Sequence, residues 1–377
     1  MNILVLNYEY PPLGGGAAPV SRDISEHLVQ GGNQVTVVTM AYKNLPHYEL
    51  QNGVEIHRVK CLRSKQFSCM PWEQLTYIIS AIRFIQNKLD IAEFDLCYTH
   101  FIIPTGVVAR YLHRKFSVPV VITAHGSDVE GYNSKKYMKV MHWFLRKSWR
   151  SIVDETFKVV SPSEFLYNLM MKAYGVPTKY TVIPNGVDLS RYSALAGIHN
   201  KKKKILLMGR MQEYKNFQTA IKAIALCDLG DWSVEVLGNG PYCEELRKLV
   251  YNLNLEDKII FHGWIENSSE EQLRFLREAS IYITASRFEN CPMAVLETIA
   301  AGCYPLLSDI PAHRQLVPED EFYFRPDDTE VLARKLQHRL DGGECSFVYD
   351  LNRYSWDAMM KQYQDVFEEA LRQIDVK

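Results

Sequence analysis

The stretch S-R-F-E-N-C-P-M-A-V-L-E-T-I-A-A-G, residues 286–302, decides how this chain is interpreted. It follows a short apolar run, 281–285, that is typical of a buried strand. Its second half has the composition of a helix, and Gly302 is a natural residue to end that helix. Pro292 suits the helix start, because the N–H that proline lacks would have no partner there. The stretch therefore predicts a strand, a turn and a helix.

Two carboxylates mark this stretch: Glu289 lies in the predicted turn and Glu297 lies inside the predicted helix. The turn offers the backbone N–H groups of Asn290, Cys291 and Met293, and such groups at a helix start bind anions. A sugar nucleotide matches these features, because its diphosphate accepts hydrogen bonds and its hydroxyls donate them to carboxylates. The alternative is that Glu289 caps the helix and Glu297 lies on its solvent-facing side.

Length and composition predict a protein of two domains. The chain has 377 residues, of which 47% are hydrophobic and 23% charged, as in ordinary globular proteins. No apolar run approaches the ~20 residues of a membrane span, and the first residues do not resemble a signal peptide. The eight cysteines are scattered, without metal-ligand spacing. We therefore expect a cytoplasmic protein with reduced cysteines.

Charge is distributed unevenly along the chain. Residues 1–190 carry a net positive charge and the remainder a net negative one, which suggests that the first half meets a negative partner. The segment 135–153 is basic and aromatic at helical spacing, as in helices that lie on an anionic membrane surface. The alternative is an ordinary surface helix whose aromatic rings face the core. We expect no nucleic-acid partner, and membrane contact only at the inner, cytoplasmic face.

The chain opens with a β-α-β pattern, which predicts a parallel sheet: strand 2–6, helix 21–30 and strand 34–39. Between the first strand and the helix lies a glycine loop, residues 14–16. Such a loop can bring main chain close to a phosphate or a sugar. It lacks the spacing of the dinucleotide-binding fingerprint, and a purely structural loop is the alternative.

A continuous apolar run, 118–124, is typical of a central parallel strand. It ends at His125 and is followed closely by Asp128, so both residues emerge at the carboxyl end of a strand. Open α/β sheets bind ligands at that edge. The sequence therefore favours a site there, although a lone histidine is often only structural.

The β-α-β pattern starts again after a polar, lysine-rich stretch, 190–204, where we place the domain boundary. This predicts domains at 1–188 and 189–353, with a final helix at 354–377. In the second domain Arg210 and Lys215 flank one strand–helix turn. Two such cations can clamp a diphosphate and stabilise its charge as it leaves, and surface cations without a ligand are the alternative.

The ordered set of these motifs resembles the retaining GT-B glycosyltransferases of family 4 over essentially the whole chain. The set comprises the glycine loop 14–16, His125-Gly126, residues 161–163, residues 184–188, Gly209-Arg210 with Lys215-Asn216, residues 238–241, and Glu289 with Glu297. The resemblance implies two Rossmann-like α/β domains facing across a cleft, with the last helix crossing back onto the first domain.

The resemblance also implies roles for individual residues. A nucleotide diphosphate sugar of UDP or GDP type would bind a donor set: Gly15, Gly16, Arg210, Lys215, Gly238, Glu289, Asn290, Cys291, Pro292, Met293 and Glu297. The catalytic set would be His125, Arg210, Lys215 and Glu289. The acceptor set would be Tyr10, Gly14, His125 and Asp128, with the aromatic residues before the glycine loop suited to stacking on a sugar. Residues 290–292 depart from the Gly-Phe-Gly of many relatives, which puts the commonest donor sugars in doubt.

The implied function is retaining transfer of a hexose-type sugar to a hydroxyl of a glycan, a lipid-linked or a small-molecule acceptor. The pathway would be assembly of cell-surface polysaccharide or glycolipid. No D-x-D motif is present, so we expect neither an essential metal nor another cofactor. The alternatives are a sugar-nucleotide epimerase or phosphorylase of the same fold, and a non-catalytic protein that binds nucleotide sugars.

Overall fold

The computed structural model of the chain describes residues 1–132, 136–193, 201–267, 269–343 and 349–373. The chain forms two units, each with its own hydrophobic core. The first unit contains Met1–Asn185 and Trp356–Lys377, and the second contains Gly186–Ser355.

The first unit is built on an eight-stranded sheet in the order β3-β4-β2-β1-β5-β6-β7-β8. Its strands are β1 (Asn2–Leu6), β2 (Gln34–Met40), β3 (Tyr48–Gln51), β4 (Val54–Val59), β5 (Leu96–His100), β6 (Val120–Thr123), β7 (Lys158–Ser161) and β8 (Tyr180–Val182). All neighbours are parallel except β3, which pairs antiparallel with β4 at the edge. The central strands are apolar and buried, because helices cover both faces of a parallel sheet.

The described part of this unit contains the helices α1 (Ala17–Gln30), α2 (Pro71–Lys88), α3 (Thr105–Phe116), α4 (Lys136–Glu155), α5 (Glu164–Tyr174) and, from the end of the chain, Trp356–Arg372. The last of these contacts α1 and β6, so the end of the chain is part of the first unit. Its Phe367 and Tyr363 pack against Tyr98 of β5.

The second unit has a fully parallel six-stranded sheet in the order β11-β10-β9-β12-β13-β14. Its strands are β9 (Lys202–Met208), β10 (Ser233–Leu237), β11 (Ile259–Gly263), β12 (Ala279–Thr284), β13 (Tyr304–Ser308) and β14 (Tyr323–Phe324). Its helices are α6 (Leu189–Ser193), α7 (Phe217–Ala225), α8 (Cys243–Asn252), α9 (Glu270–Glu278), α10 (Met293–Ala300), α11 (Pro311–Leu316) and α12 (Thr329–Leu340). We number the final helix, Trp356–Arg372, α13.

Each sheet has one point at which the order of its strands reverses. In the first unit β1 lies between β2 and β5, and in the second unit β9 lies between β10 and β12. The loops that follow the two strands on either side of such a point diverge and leave a crevice at the carboxyl edge of the sheet. The loops after β9 and β12 carry Arg210, Lys215 and Glu289, and Glu297 lies in α10, the helix that follows the second loop.

Three local predictions need correction or restriction. Helix α1 begins at Ala17 and not at residue 21, because Gly16 takes the position before its first turn and Pro19 is tolerated within that turn. The edge strand β3 was not predicted, because it has only four residues and its two apolar ones, Tyr48 and Leu50, are exposed. Lys135, at the start of the predicted basic helix, lies outside the described residues.

Candidate functional site

The loops after β9 and β12 bring Lys215 and Glu289 together. Lys215 Nζ lies 2.5 Å from Glu289 Oε1. Ser286 Oγ donates to the same oxygen at 2.7 Å. No described residue donates a hydrogen bond to the other oxygen, Glu289 Oε2. Glu289 is therefore held through one oxygen, and the second is left to accept a hydrogen bond from a ligand.

The ion pair of Lys215 with Glu289 is electrostatically strong. Burial alone would lower the pKa of the Lys215 ammonium, but the Glu289 carboxylate outweighs it and raises that pKa above its usual range. Lys215 is therefore charged at neutral pH, and its charge is balanced by Glu289. The side chains are only 21% and 10% exposed, so water weakens the interaction little.

Further contacts fix the two loops against each other. Arg287 donates its backbone N–H to Tyr214 O at 2.9 Å, and the rings of Tyr214 and Phe288 stack with centroids 4.3 Å apart. Asp327 accepts from the Arg287 guanidinium at 2.8 Å and from Asn216 Nδ2 at 3.0 Å. The position of Glu289 relative to Lys215 is thus determined by several independent contacts.

Arg210 follows β9 directly and differs from Lys215 in having no counterion. Its side chain is partly exposed, and among the described residues it has neither an ion pair nor a side-chain hydrogen bond. Its backbone O accepts from Gln212 N at 2.8 Å, which shapes the turn. Arg210 therefore places an unneutralised guanidinium at the carboxyl edge of the sheet, where it can bind an anion.

The start of α10 matches the prediction from the sequence. Pro292 occupies the position before the first helical residue, Met293, and Gly302 follows the helix end with a φ of 75°. Within the described chain, the backbone N–H groups of Met293 and Ala294 have no acceptor. These N–H groups and the positive end of the helix dipole together favour an anionic ligand.

Glu297 does not lie on a solvent-facing side of α10, so that alternative is wrong. The residue is 6% exposed, and its Oε2 accepts from Gln272 Nε2 of α9 at 3.2 Å. Burying a carboxylate costs free energy unless hydrogen bonds compensate, and Gln272 supplies one of them.

Gly238 is required by backbone packing. Its φ is +127°, and a Cβ there would lie 1.9 Å from the carbonyl oxygen of Gly209. Gly209 N donates to Leu237 O at 3.0 Å, and Gly238 N donates to Gly263 O at 2.7 Å. The ends of β9, β10 and β11 thus approach closely, and glycine at 238 permits it.

In the first unit, His125 follows β6 and pairs with His100 at the end of β5. His100 Nδ1 and His125 Nε2 are 2.9 Å apart, and the rings stack with centroids 5.2 Å apart. Burial lowers the pKa of His125 to about 3, and burial together with the neighbouring ring lowers that of His100. Both rings are neutral at physiological pH, and one donates a hydrogen bond to the other.

Asp128 shapes the loop that carries His125. Its Oδ1 accepts from the backbone N–H groups of His125 and Gly126, both at 3.0 Å, and its Oδ2 accepts from Ile102 N at 2.8 Å. Burial raises the pKa of the Asp128 carboxyl, and these hydrogen bonds oppose that rise. The carboxylate is therefore engaged with the backbone, and its contact with an acceptor remains a prediction.

The glycine loop encloses a carboxylate of its own. Gly14 has a φ of +94°, and a Cβ there would lie 2.5 Å from Cβ of Glu9. Gly15 N lies 3.4 Å from Glu9 Oε2, its hydrogen-bond acceptor. Gly16 precedes the first helical residue of α1, with open space where a side chain would be. The loop therefore leaves room for a ligand at Gly16.

Tyr10 does not fit the prediction that its ring stacks on an acceptor. The side chain is 1% exposed and belongs to the core, so it presents no ring face to a ligand in this structure. The mistake arose because aromatic residues beside a glycine loop suit either a sugar or a core. Only the direction of the side chain distinguishes the two.

Two family models match the chain after one another. The model described as Glycosyltransferase Family 4 matches residues 14–191, and the one described as Glycosyl transferases group 1 matches residues 191–346. The chain belongs to glycosyltransferase family 4.

Relatives of this glycosyltransferase are similar over almost their whole length. Alpha-monoglucosyldiacylglycerol synthase from Streptococcus pneumoniae is 25% identical over 98% of this chain and 86% of its own. GDP-mannose:cellobiosyl-diphosphopolyprenol alpha-mannosyltransferase from Xanthomonas campestris is 23% identical over 97% and 96%. Sucrose-phosphate synthase from Thermosynechococcus elongatus has a similar structure, with a TM-score of 0.82, 16% identity, and coverage of 99% and 100%. The fold of the glycosyltransferase is accordingly the GT-B fold, with two Rossmann-like units.

The sequence analysis missed several residues that shape the site of the glycosyltransferase. They are Ser286, Gln272, Asp327, His100 and Glu9. Gln272 contacts Glu297 and His100 contacts His125, each across 25 positions of sequence, and no local pattern signals such a contact. Asp327 likewise joins Asn216 and Arg287, which are distant from it in sequence. Ser286 is the exception, since a serine three residues before Glu289 in a turn can donate to its carboxylate.

None of the helices in the described part of the glycosyltransferase combines the length and the apolarity that crossing a membrane requires.

Proposed function

We propose that this glycosyltransferase moves a hexose-type sugar from a nucleotide diphosphate sugar of UDP or GDP type to an acceptor hydroxyl, with retention of configuration. The observation that carries the proposal is the set of groups after β9 and β12. Judged by the residues that the structure describes, Arg210 supplies a cation without a counterion and Glu289 a carboxylate oxygen without a donor. The start of α10 adds backbone N–H groups. A diphosphate joined to a polyhydroxylated sugar complements all three.

Each part of the donor has a proposed partner. The diphosphate binds Arg210 and the N–H groups at the start of α10. A hydroxyl of the sugar donates to Glu289 Oε2, and the ribose hydroxyls donate to Glu297. Lys215 acts on the donor mainly through Glu289, because its own charge is already balanced.

The proposed reaction relies on electrostatic stabilisation and positioning. The bond between the anomeric carbon and the diphosphate oxygen breaks, and Arg210 stabilises the charge that develops on the leaving group. The acceptor oxygen forms the new bond on the same face of the sugar and gives its proton to the departing phosphate. The chain's own residues provide these groups, and we propose no metal requirement.

The first unit supplies the remaining proposed contacts. His125, neutral and held by His100, accompanies the transferred sugar. Gly14, Gly15 and Gly16 allow close approach of the diphosphate and the acceptor to the backbone. We propose that Asp128 holds the His125 loop in place, and we no longer assign Tyr10 to the acceptor.

The acceptor is proposed to belong to glycolipid or cell-surface polysaccharide assembly. The two relatives named above carry names that specify a diacylglycerol glycolipid and a polyprenol-linked glycan. Helix α4 exposes Trp143 by 67% and Phe144 by 71%, beside exposed Lys139 and Lys147. We propose that this face lies against anionic lipid at the inner face of the membrane. Charge reversal at Lys139 and Lys147 should then abolish binding to anionic liposomes.

A thermal-shift screen of sugar nucleotides tests the proposal first, because a ligand that binds only the folded state raises the melting temperature. Release of the nucleoside diphosphate from the donor that binds then reports turnover. Arg210→Ala should lower kcat by ~100-fold or more without changing the melting temperature of the free protein. Wild-type turnover in this variant would remove the role of Arg210 in the leaving step.

The rival functions give different results in the same assay. An epimerase would release nucleotide without an acceptor, and a phosphorylase would turn over with phosphate alone. A non-catalytic protein would bind the donor and never release its nucleoside diphosphate. Each of these outcomes would replace the proposed transfer reaction.

A further inference from the structure

Helix α2 is apolar on two opposite faces. Its inner face includes Tyr77 and Ile85, which are fully buried in the core of the first unit. Its outer face exposes Trp72, Leu75 and Ile79 by 57%, 60% and 52%. These three residues are three and four positions apart, so they form one stripe. A helix that is apolar all round is normally covered on both sides.

The segment before α2 enlarges this stripe. Leu62, Phe67 and Met70 are exposed by 63%, 40% and 43%. We refer to the six residues together as the α2 apolar surface: Leu62, Phe67, Met70, Trp72, Leu75 and Ile79. Large exposed apolar groups concentrated in so short a segment mark an interaction site.

The charges of the same segment favour an anionic partner. Lys60, Lys65 and Arg83 are exposed. The one carboxylate of residues 60–88, Glu73, is buried and accepts from the backbone N–H groups of Ser64 and Met70, both at 2.7 Å. The segment therefore combines exposed apolar and cationic side chains without an exposed acid, as bilayer-binding surfaces do.

Hydrogen bonds fasten this surface to the glycine loop. Gly14 N donates to Gln66 O at 2.9 Å, and Gln66 Nε2 donates to Pro12 O at 3.0 Å. The buried guanidinium of Arg63 donates to Tyr8 O at 3.0 Å. Whatever binds the α2 apolar surface is thus placed beside the loop that we assign to the acceptor.

The α2 apolar surface and the exposed rings of α4 lie on one side of the first unit. Helix α3 contacts both α2 and α4, and all three helices begin after the carboxyl end of a strand. Their N-terminal halves therefore lie toward the same edge of the sheet. Trp72 and Leu75 belong to that half of α2, and Trp143 belongs to that half of α4.

We propose that the α2 apolar surface inserts into the surface of a bilayer that contains anionic phospholipid, and so holds the glycine loop against an acceptor carried by that bilayer. Its apolar side chains enter the acyl boundary, and Lys60, Lys65 and Arg83 meet lipid phosphates. The assignment of the loop rests on the proposed function, but bilayer contact does not require donor, acceptor or turnover and is measured separately.

The experiment measures co-sedimentation of the full chain with vesicles of phosphatidylcholine and phosphatidylglycerol. The variant Leu75→Ser with Ile79→Ser should bind at least ~10-fold more weakly than the wild type. The matched control is Leu226→Ser with Tyr251→Ser, which removes two residues of the second unit that are 64% and 69% exposed. The control should bind like the wild type. Melting temperatures show whether the variants fold.

A second readout locates the contact through Trp72. Lipids brominated near the acyl boundary should quench tryptophan fluorescence of the wild type, and Trp72→Phe should bind normally with a smaller loss of signal. If the double variant Leu75→Ser with Ile79→Ser binds vesicles like the wild type, the proposal is overturned. This holds even if the double variant Trp143→Ser with Phe144→Ser no longer binds, because binding would then depend on α4 alone. Absence of wild-type binding would overturn it too. So would self-association of the wild type that the α2 variant loses, because the surface would then contact a second copy of the chain. None of these results would affect donor turnover, which tests the proposed function.

Discussion

The ion pair of Lys215 with Glu289 changes the roles expected for two cations. From the sequence alone, Arg210 and Lys215 are expected to bind the diphosphate equally. In the structure Lys215 Nζ and Ser286 Oγ both contact Glu289 Oε1, whereas Arg210 has no counterion among the described residues. We infer that Arg210 provides most of the attraction for the diphosphate. Lys215 orients the carboxylate that reads the sugar.

This division predicts different outcomes for substitutions at Lys215. Lys215→Met should lower the free energy of unfolding by about 2 kcal/mol, because it leaves a partly buried carboxylate without its cation. Adding Glu289→Gln should restore most of that loss, because the amide removes the unpaired charge. Activity should stay low in both variants, since neither offers a correctly placed carboxylate.

Urea unfolding and nucleoside diphosphate release measure the two properties separately. Ser280→Ala is a matched control, because its hydroxyl donates to Lys202 O at the opposite end of β12 and is distant from Glu289. Recovery of activity in the double variant would show that Glu289 does not contact the sugar as a carboxylate.

Residues of the site could be predicted where the signal is local. Glu289, Glu297 and the residues between them lie in one stretch of recognisable strand–turn–helix character. Gln272 and His100 could not be predicted, because they meet Glu297 and His125 through contacts between elements that are distant in sequence. Tyr10 was assigned to the wrong environment, because residue type does not reveal the direction of a side chain.

At the scale of elements, the strand–turn–helix around residue 289 could be predicted, because residue types with known preferences for helix ends mark its boundaries. Pro292 marks the start of α10 and Gly302 follows its end, as the structure confirms. The edge strand β3 carries no such signal, because it is only four residues long and its residues are largely exposed.

The close approach of β9 and β10 predicts that Gly238 tolerates no side chain. Gly238→Ala would place a Cβ 1.9 Å from Gly209 O, and a backbone atom cannot move without shifting the turn that carries Arg210. We expect the substitution to lower the free energy of unfolding by about 3 kcal/mol. If the turn shifts instead, the variant should no longer bind the donor.

Gly230→Ala is the matched control for this substitution. Gly230 also has a positive φ, +45°, but nothing lies within 4 Å of its added Cβ. Its melting temperature should fall far less than that of Gly238→Ala. Equal decreases in melting temperature would mean that the positive φ alone destabilises both variants. The contact between the ends of β9 and β10 would then make no contribution.

At the scale of the whole molecule, repeated β-α-β patterns predicted two parallel-sheet units, which the structure confirms. Strand order could not be predicted in the same way, because pairing depends on contacts between distant strands. That order places the loops after β9 and β12 side by side, so that residues 74 positions apart form an ion pair. The chemistry of the site thus depends on topology that no single motif contains.

Stability should depend on pH through buried histidines. His313 is fully buried, contacts Ser308 O through Nδ1 at 2.8 Å, and burial lowers its pKa to about 4. The unfolded chain has a histidine pKa of about 6.5. As pH falls from 6.5 toward 4, the unfolded state takes up a proton that the folded state does not. Stability is therefore lost on acidification, by about 2 kcal/mol between pH 7 and pH 5.

His313→Asn tests this prediction, because its amide nitrogen lies close to the position of Nδ1 and does not titrate. Urea unfolding at pH 7 and pH 5 should show that the variant loses about 2 kcal/mol less than the wild type. His100 and His125 titrate in both proteins and cancel in the comparison. Identical losses would show that His313 is protonated in the folded state or does not titrate in this range.

Binding of the nucleoside diphosphate tests most directly whether the groups after β9 and β12 form a donor site. Titration calorimetry would compare the wild type with Arg210→Ala, using the nucleoside diphosphate that the wild type releases from its donor. We expect at least ~10-fold weaker binding by the variant, at an unchanged melting temperature, because a charge-assisted contact to phosphate is lost. Equal affinities in the two proteins would show that the diphosphate binds elsewhere.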